Sequence, residues 1–238
     1  LQRNVILFGD RVVINENRTG KYVGTTWNKF YNNILNIVSN LRRYGFKVGD
    51  KMVIYSPNRL EMLELELAIM ASGGISVPIF AFFHRETAEL LINHSKAEYL
   101  AVAGDVQLSR LKDIQVKDIF VFDESENKYF PNQHGFNELL AENTGEKISM
   151  NVNASEDEIC LNLYTSGTMG TPKCVQLTHK NILSQQAALS IVWQLDENDR
   201  FLSYLPWHHS FGGIFELFTA LYNGASLSIE SGFGKDPH

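Results

Sequence analysis

Residues 51–80 read KMVIYSPNRLEMLELELAIMASGGISVPIF, and this stretch decides the fold. KMVIYS is a short β-branched run closed by Pro57, Asn58 is placed to cap a helix over RLEMLELELAIMAS, and Gly73-Gly74 turns the chain into the apolar strand ISVPIF. Strand, helix and strand of these lengths make a βαβ unit, with parallel strands and a right-handed crossover. The pattern repeats more faintly downstream, where a helix over residues 86–94 leads to YLAVA and a second over 106–112 leads to IFVF. The sum predicts an α/β fold, mainly parallel sheets flanked by helices.

Outward from that unit, VILFGDRVVINEN (residues 5–17) predicts two short strands around Gly9-Asp10, with a polar loop through Thr19-Gly20. Thr25 or Thr26 caps a helix whose apolar positions Trp27, Phe30, Tyr31, Ile34, Val38 and Leu41 recur at helical spacing, and Gly45 stops it. Residues 123–158 turn polar and rich in Asn and Glu, with one short helix near 136–141. Glu156, Asp157 and Glu158 read as a solvated edge, because they lack the alternating spacing of a calcium loop. The chain thus divides into a βαβ-rich half (1–122), a polar connection (123–158) and a final segment (159–238) that opens a second subdomain.

Composition bounds the function. With 238 residues, 44% of them hydrophobic, the chain can bury a sizeable core and is too apolar to be disordered. The 21 Lys and Arg against 27 Asp and Glu leave a formal charge of −6 with no dense basic run, so nucleic acid is not an expected partner. Two cysteines, Cys160 and Cys174, cannot form a disulfide scaffold and read as small core residues; with no secretory leader pattern, the expected compartment is the cytoplasm. The longest uncharged stretch, 67–83, contains Gly73-Gly74 and Pro78 and fits a buried helix, turn and strand rather than a membrane span.

Residues 159–178 read ICLNLY-TSGTMGTPK-CVQLT, an apolar strand, a loop of small and hydroxyl residues closed by lysine, and a second strand. Thr165, Ser166, Thr168 and Thr171 offer hydroxyls, and Gly167 and Gly170 let backbone N–H groups approach an anion. Lys173, next to the fixed φ of Pro172, adds a mobile point charge suited to phosphate oxygens. The group reads as a phosphate cradle; a ligand-free Ser/Thr/Gly hairpin loop is the alternative. It is not a Walker A loop, because Lys173 is followed by a strand and a helix begins only after Thr178. A symmetric hairpin about Met169 sets Cys174 opposite Tyr164 rather than Cys160, which argues against a disulfide.

YTSGTMGTPK resembles the signature loop of the adenylate-forming (AMP-binding) superfamily, which includes acyl-CoA synthetases, adenylation domains of nonribosomal peptide synthetases and luciferases. Met169 stands where Ser or Thr is frequent there, and Cys174 where Gly is usual. FLSYLPWHHSFGG (201–213) resembles the same family's second signature. On that match His209 lies near the adenylate and the carboxylate being activated, Phe211 and Gly212 lie beside the acyl pocket, and His208 is a less constant position. Adjacent His208 and His209 make a poor metal pair, and no metal ligand is assigned. LRRYGFKVGDKMVIYSPN and the Gly73-Gly74 turn look like the opening region of acyl-CoA synthetases, so the resemblance covers most of the chain.

The resemblance implies ATP, Mg2+ and coenzyme A as cofactors and co-substrates. It implies Thr165, Ser166, Gly167, Thr168, Gly170, Thr171 and Lys173 as the phosphate-binding set, with Lys173 and His209 as catalytic residues. The implied reaction is AMP-forming activation of a carboxylic acid, with a long-chain fatty acid leading. An aryl acid, a carrier-protein thiol as acceptor, and a non-catalytic nucleotide-binding module are the alternatives. Family members run further, with an aromatic-Gly-x-Thr-Glu segment, a ribose-binding Asp, a hinge and a C-terminal lysine. The expectation is therefore an incomplete AMP-binding domain, inactive by itself and lacking its C-terminal domain, for which peripheral membrane contact stays open.

Overall fold

A computed structural model describes residues 1–18, 21–142, 155–165 and 172–230. The chain opens in helix α1 (Gln2–Phe8), where VILF leads the sequence reading to expect a strand. Tertiary contact overrides the local β-propensity. Buried Asn4 donates from Nδ2 to the carbonyl of Leu221 at 2.7 Å, and the Arg3 guanidinium lies over the Tyr222 ring. The helix is thereby tied to a segment more than two hundred residues later. Strands β1 (Val12–Arg18) and β2 (Lys21–Thr26) then pair antiparallel. Thr26 ends β2 and caps α2 (Trp27–Arg43), its side-chain oxygen accepting from the Lys29 N–H. Helix α2 buries Trp27, Phe30, Ile34, Val38 and Leu41 along one stripe, and Gly45 follows at φ +82, a conformation that favours glycine.

The βαβ unit expected over 51–80 is present as β3 (Lys51–Tyr55), α3 (Leu60–Ala71) and β4 (Ile75–Ile79), with β3 and β4 parallel. Helix α4 (Arg85–Ser95) leads to β5 (Tyr99–Val102), and α5 (Asp105–Leu108) leads to β6 (Asp118–Val121). Helix α5 is shorter than expected, because the chain leaves it in turn-type bonds such as Leu111 N–H to Leu108 C=O. The polar stretch contributes a three-residue strand, β7 (Gln133–Gly135), and α6 (Asn137–Leu140). Strands β8 (Ile159–Thr165) and β9 (Lys173–Thr178) complete a seven-stranded sheet of order β7-β6-β5-β3-β4-β8-β9, parallel except for the β8–β9 hairpin.

Alternate residues of β3 serve two cores. Met52 and Ile54 join the larger one with α2 and α3, while Val53 and Tyr55 join a smaller one with Val77, Leu91 and Leu100. A parallel sheet covered on both faces has this pattern. After β9, Thr178 caps α7 (His179–Trp193) in a reciprocal capping box with Asn181. Strand β10 (Arg200–Ser203), a wide π-helical turn over Phe211–Glu216, α8 (Leu217–Asn223) and β11 (Ser226–Ile229) follow. A second sheet has the order β10-β11-β1-β2, so strands from the first 26 residues pair with one from residues 226–229. The strands sort by sheet and not by chain order.

Glu156 and Asp157 are exposed and pair with Lys180 at 2.8 and 3.7 Å, as a solvated edge requires. Cys160 is buried and Cys174 half-buried, each with a free thiol. No helix among the described residues is long and apolar enough to cross a membrane.

Candidate active site

In open parallel sheets, ligands bind beyond the carboxyl ends of the strands, where successive strands diverge to opposite sides. Here β4 lies on one side of β3 and β5, β6 and β7 on the other. Asn58 follows the carboxyl end of β3, and Phe80 follows that of β4. Parallel pairing of Ser76 with Leu161 brings the end of β8, Thr165, to the same edge.

The hairpin registers Thr165 opposite Lys173 and Tyr164 opposite Cys174, as the symmetric reading of the loop expects. Both Thr165 and Lys173 are exposed. Ser166, Gly167, Thr168, Gly170 and Thr171 lie outside the described residues, as does Met169. Tyr164 anchors the base of the hairpin, its hydroxyl 2.9 Å from Nδ1 of His94, and burial pushes that phenol up to about 12. At position 174 the cysteine side chain is accommodated across from Tyr164 on the hairpin. Burial raises both thiols, that of Cys160 to about 12, so neither is poised as a thiolate.

The second motif crosses to the end of β3. Asn58 does not cap α3, whose N-cap is Arg59. Its amide is committed elsewhere, donating from Nδ2 to the Leu205 carbonyl at 2.8 Å and accepting the Trp207 N–H at Oδ1 at 2.9 Å. Trp207 is fully enclosed, with Nε1–H donating to Ser203 Oγ at 2.8 Å; Ser203 in turn donates to Glu216. Burial pushes the Glu216 carboxyl up to about 7, against the Ser203 hydrogen bond, which lowers it.

The turn then presents two different histidines. His208 is nested among aromatic rings, its centroid 4.8 Å from Phe80 and 6.4 Å from Phe83. Burial first, and the neighbouring His209 second, push its imidazole down to about 4, so it is neutral at physiological pH. His209 is exposed. Its N–H donates to Pro206 C=O at 3.1 Å, and its carbonyl accepts from Gly213 N–H at 2.8 Å. Nδ1 accepts from the Phe211 N–H at 3.3 Å, so in the neutral form of the imidazole the ring proton sits on Nε2.

Gly212 and Gly213 are buried under the same turn. A Cβ at Gly213 would stand 2.1 Å from the Trp207 carbonyl oxygen, and one at Gly212 would stand 2.5 Å from that of Leu205. Only glycine lets the π-helical turn lie against that backbone. Phe211 is 56% exposed and packs against Phe215 at 5.0 Å.

Asn58, Phe80 and the Ser203–Trp207–Glu216 chain are the site residues that sequence reasoning missed. FAFF at 80–83, an aromatic cluster directly after a strand, was the available signal for Phe80. The exposed Thr165 hydroxyl, Lys173 ammonium and His209 imidazole are groups suited to an anionic ligand. Among the described residues no group of three or more His, Cys, Asp or Glu side chains could hold a metal ion. A separate apolar cavity of about 600 Å3, lined by Leu67, Met70, Ile182 and Phe218 among others, shares no residue with this edge.

The AMP-binding enzyme family profile matches residues 1–238. Long chain acyl-CoA synthetase 3 of Arabidopsis thaliana is 27% identical over 244 aligned residues, covering 95% of this chain and 36% of the relative. Malonate–CoA ligase ACSF3 of Mus musculus is 28% identical, covering 93% of this chain and 36% of the relative. The chain therefore spans about a third of the length of these curated relatives. Among solved structures, o-succinylbenzoate coenzyme A synthetase from Bacillus subtilis, in complex with AMP, superposes with a TM-score of 0.76 at 20% identity. The alignment covers 96% of this chain and 54% of that one, a likeness of fold. With the family profile running from residue 1 to residue 238, the chain belongs to the AMP-binding enzyme family.

Proposed function

We propose that the protein carrying this chain activates a carboxylic acid with ATP. The carboxylate oxygen attacks the α-phosphorus, the bond to the β-phosphate oxygen breaks, and pyrophosphate leaves. The thiol of coenzyme A then attacks the acyl carbon, releasing AMP and giving the acyl-CoA. The observation that carries this reading is the family match along the whole chain. Supporting it, Thr165 ends β8 beside β4, and the turn bearing His209 is bonded to Asn58 and packed on Phe80 just beyond β3 and β4.

The chemistry divides between the two segments. The loop from Thr165 to Lys173 would cradle the β- and γ-phosphates, Lys173 supplying a point charge and the loop backbone and hydroxyls supplying donors. His209, proton on Nε2, would donate to an oxygen of the acid and orient it for attack. A dissociating pyrophosphate leaves the protein little covalent work, so positioning and charge neutralisation dominate. The described residues do not form a cage for the magnesium that accompanies ATP, and no step is routed through the ion. With −6 formal charge, the phosphates would be met by a local cradle and not by the net field.

For the acid, a long-chain fatty acyl group is the leading substrate. Relatives named as long chain acyl-CoA synthetases support it, and the exposed Phe211 ring offers an apolar surface beside the turn. ATP–pyrophosphate exchange by the full-length protein that carries this chain, dependent on a long-chain fatty acid, tests the reading. Lys173→Ala and His209→Ala should each lower exchange about 10²-fold, the scale of one lost electrostatic contact to the transition state. Binding of ATP with no exchange across a panel of alkyl and aryl acids would overturn activation in favour of a nucleotide-binding module. Exchange only with aryl acids would replace the fatty acyl assignment.

A further inference from the structure

We infer that Asn58 is a positioning residue for His209, holding the backbone turn on which that imidazole stands. The residue lies 151 positions earlier in the chain, just beyond β3, and its side chain meets the backbone of the second motif twice. Nδ2 donates to the Leu205 carbonyl and Oδ1 accepts the Trp207 N–H, at 2.8 and 2.9 Å. Those two groups bracket Pro206, whose own nitrogen has no hydrogen to offer. One side chain thus acts as a strand partner for a segment to which the described residues offer no backbone partner at Leu205 C=O or Trp207 N–H. Few residue types offer a donor and an acceptor on one short planar group.

The contact reaches His209 in one step. Pro206, fixed between the two Asn58 bonds, supplies the carbonyl that receives the His209 N–H at 3.1 Å. The His209 carbonyl receives Gly213 N–H, and Phe211 N–H falls on Nδ1. A shift in the backbone at 205–207 therefore moves the donor that selects the imidazole tautomer. On the other side, buried Trp207 and its Ser203–Glu216 chain hold the indole and not the peptide groups. The peptide register rests on Asn58. Asparagine is the required type: an aspartate would keep the acceptor for Trp207 but set a charged oxygen against the Leu205 carbonyl.

Two measurements on the protein separate this inference from the activation reading on which its kinetic consequence rests. The first is ring 15N NMR of histidine-labelled protein, which needs no substrate. In the native sequence, recorded at a pH where the ring signals show no protonation, His209 should show a single fixed Nε2–H tautomer. In Asn58→Ala, or in Asn58→Asp should the alanine variant fail to fold, its two nitrogens should move toward tautomer-averaged shifts. An unchanged His209 signal in the folded variant overturns the inference whatever the enzymology.

The second is exchange kinetics. Asn58→Ala should lower kcat about tenfold with the KM for ATP within twofold of native. In combination with His209→Ala it should add no further loss, because both act through one group. A full multiplication of the two losses would assign Asn58 a general structural role and overturn the positioning. If the full-length protein that carries this chain shows no exchange, the activation reading fails and the NMR outcome alone decides the role of Asn58.

Discussion

Glu66 is fully enclosed in α3, and its Oε2 has no hydrogen-bond partner among the described residues. Burial alone pushes its carboxyl up to about 8. Glu64, two residues earlier, is raised to about 8 as well, mainly by burial, with the amide of Asn33 donating to Oε1 at 2.8 Å in partial opposition. In the unfolded chain both ionise near 4.5, so between 4.5 and about 8 the folded state keeps protons that the unfolded state has lost. Their contribution is therefore fully present below 4.5 and declines as pH rises to about 8. Glu66→Gln should remove its share of that slope. In urea titrations the variant should gain on the native protein by about 1–4 kcal/mol between pH 5 and pH 8. A constant difference across that range would show that Glu66 is ionised in the fold. His208 makes the converse case, and its ring should titrate by NMR near 4. A midpoint near the ordinary 6.5 would mean that the Phe80 and Phe83 nest opens in solution.

At the scale of elements, α7 shows what local chemistry specifies by itself. Thr178 accepts the Asn181 N–H and Asn181 returns a bond to the Thr178 N–H, so the helix start was legible as a hydroxyl residue before an apolar run. Thr178→Ala should cost about 1 kcal/mol, read as a lower urea midpoint with an unchanged slope. The π-helical turn is the opposite case. Phe211-Gly212-Gly213 reads in the sequence as an aromatic-glycine turn, but the reason for two glycines lies in the carbonyls of Leu205 and Trp207, which only the folded chain brings there. Gly213→Ala should destabilise the protein by about 1–3 kcal/mol, the range for forcing an atom into filled space. Helix α1 and Asn58 were misread for the same physical reason. VILF carries strand propensity and Asn58 a good cap, and in each case a hydrogen bond to a carbonyl far along the chain decides the outcome: Leu221 for Asn4, Leu205 for Asn58. Strand β7 gave too little to read, three residues with no apolar alternation.

For the whole molecule, the α/β class and the central βαβ unit were legible because they depend on periodicity within about thirty residues. The second sheet was not, because it joins Ile14 to Leu227. That long closure gives the two sheets unequal independence. The buried members of the smaller core, from Val53 to Val121, all come from one stretch of chain, whereas the larger core unites Val13 and Trp27 with Trp207, Leu217 and Leu227. Cooperative units of different stability follow from such a division. Leu227→Ala removes a fully buried side chain that sits beside Ile14 on the parallel β1–β11 pair. It should cost about 2–5 kcal/mol locally. In native-state hydrogen exchange the amides of β1 and β11 should then exchange at least tenfold faster. Those of Leu100 and Ile119, which pair within the first sheet and share the smaller core with α4 and α5, should keep their rates. Equal acceleration at both places would show that the two sheets open together, as one cooperative unit.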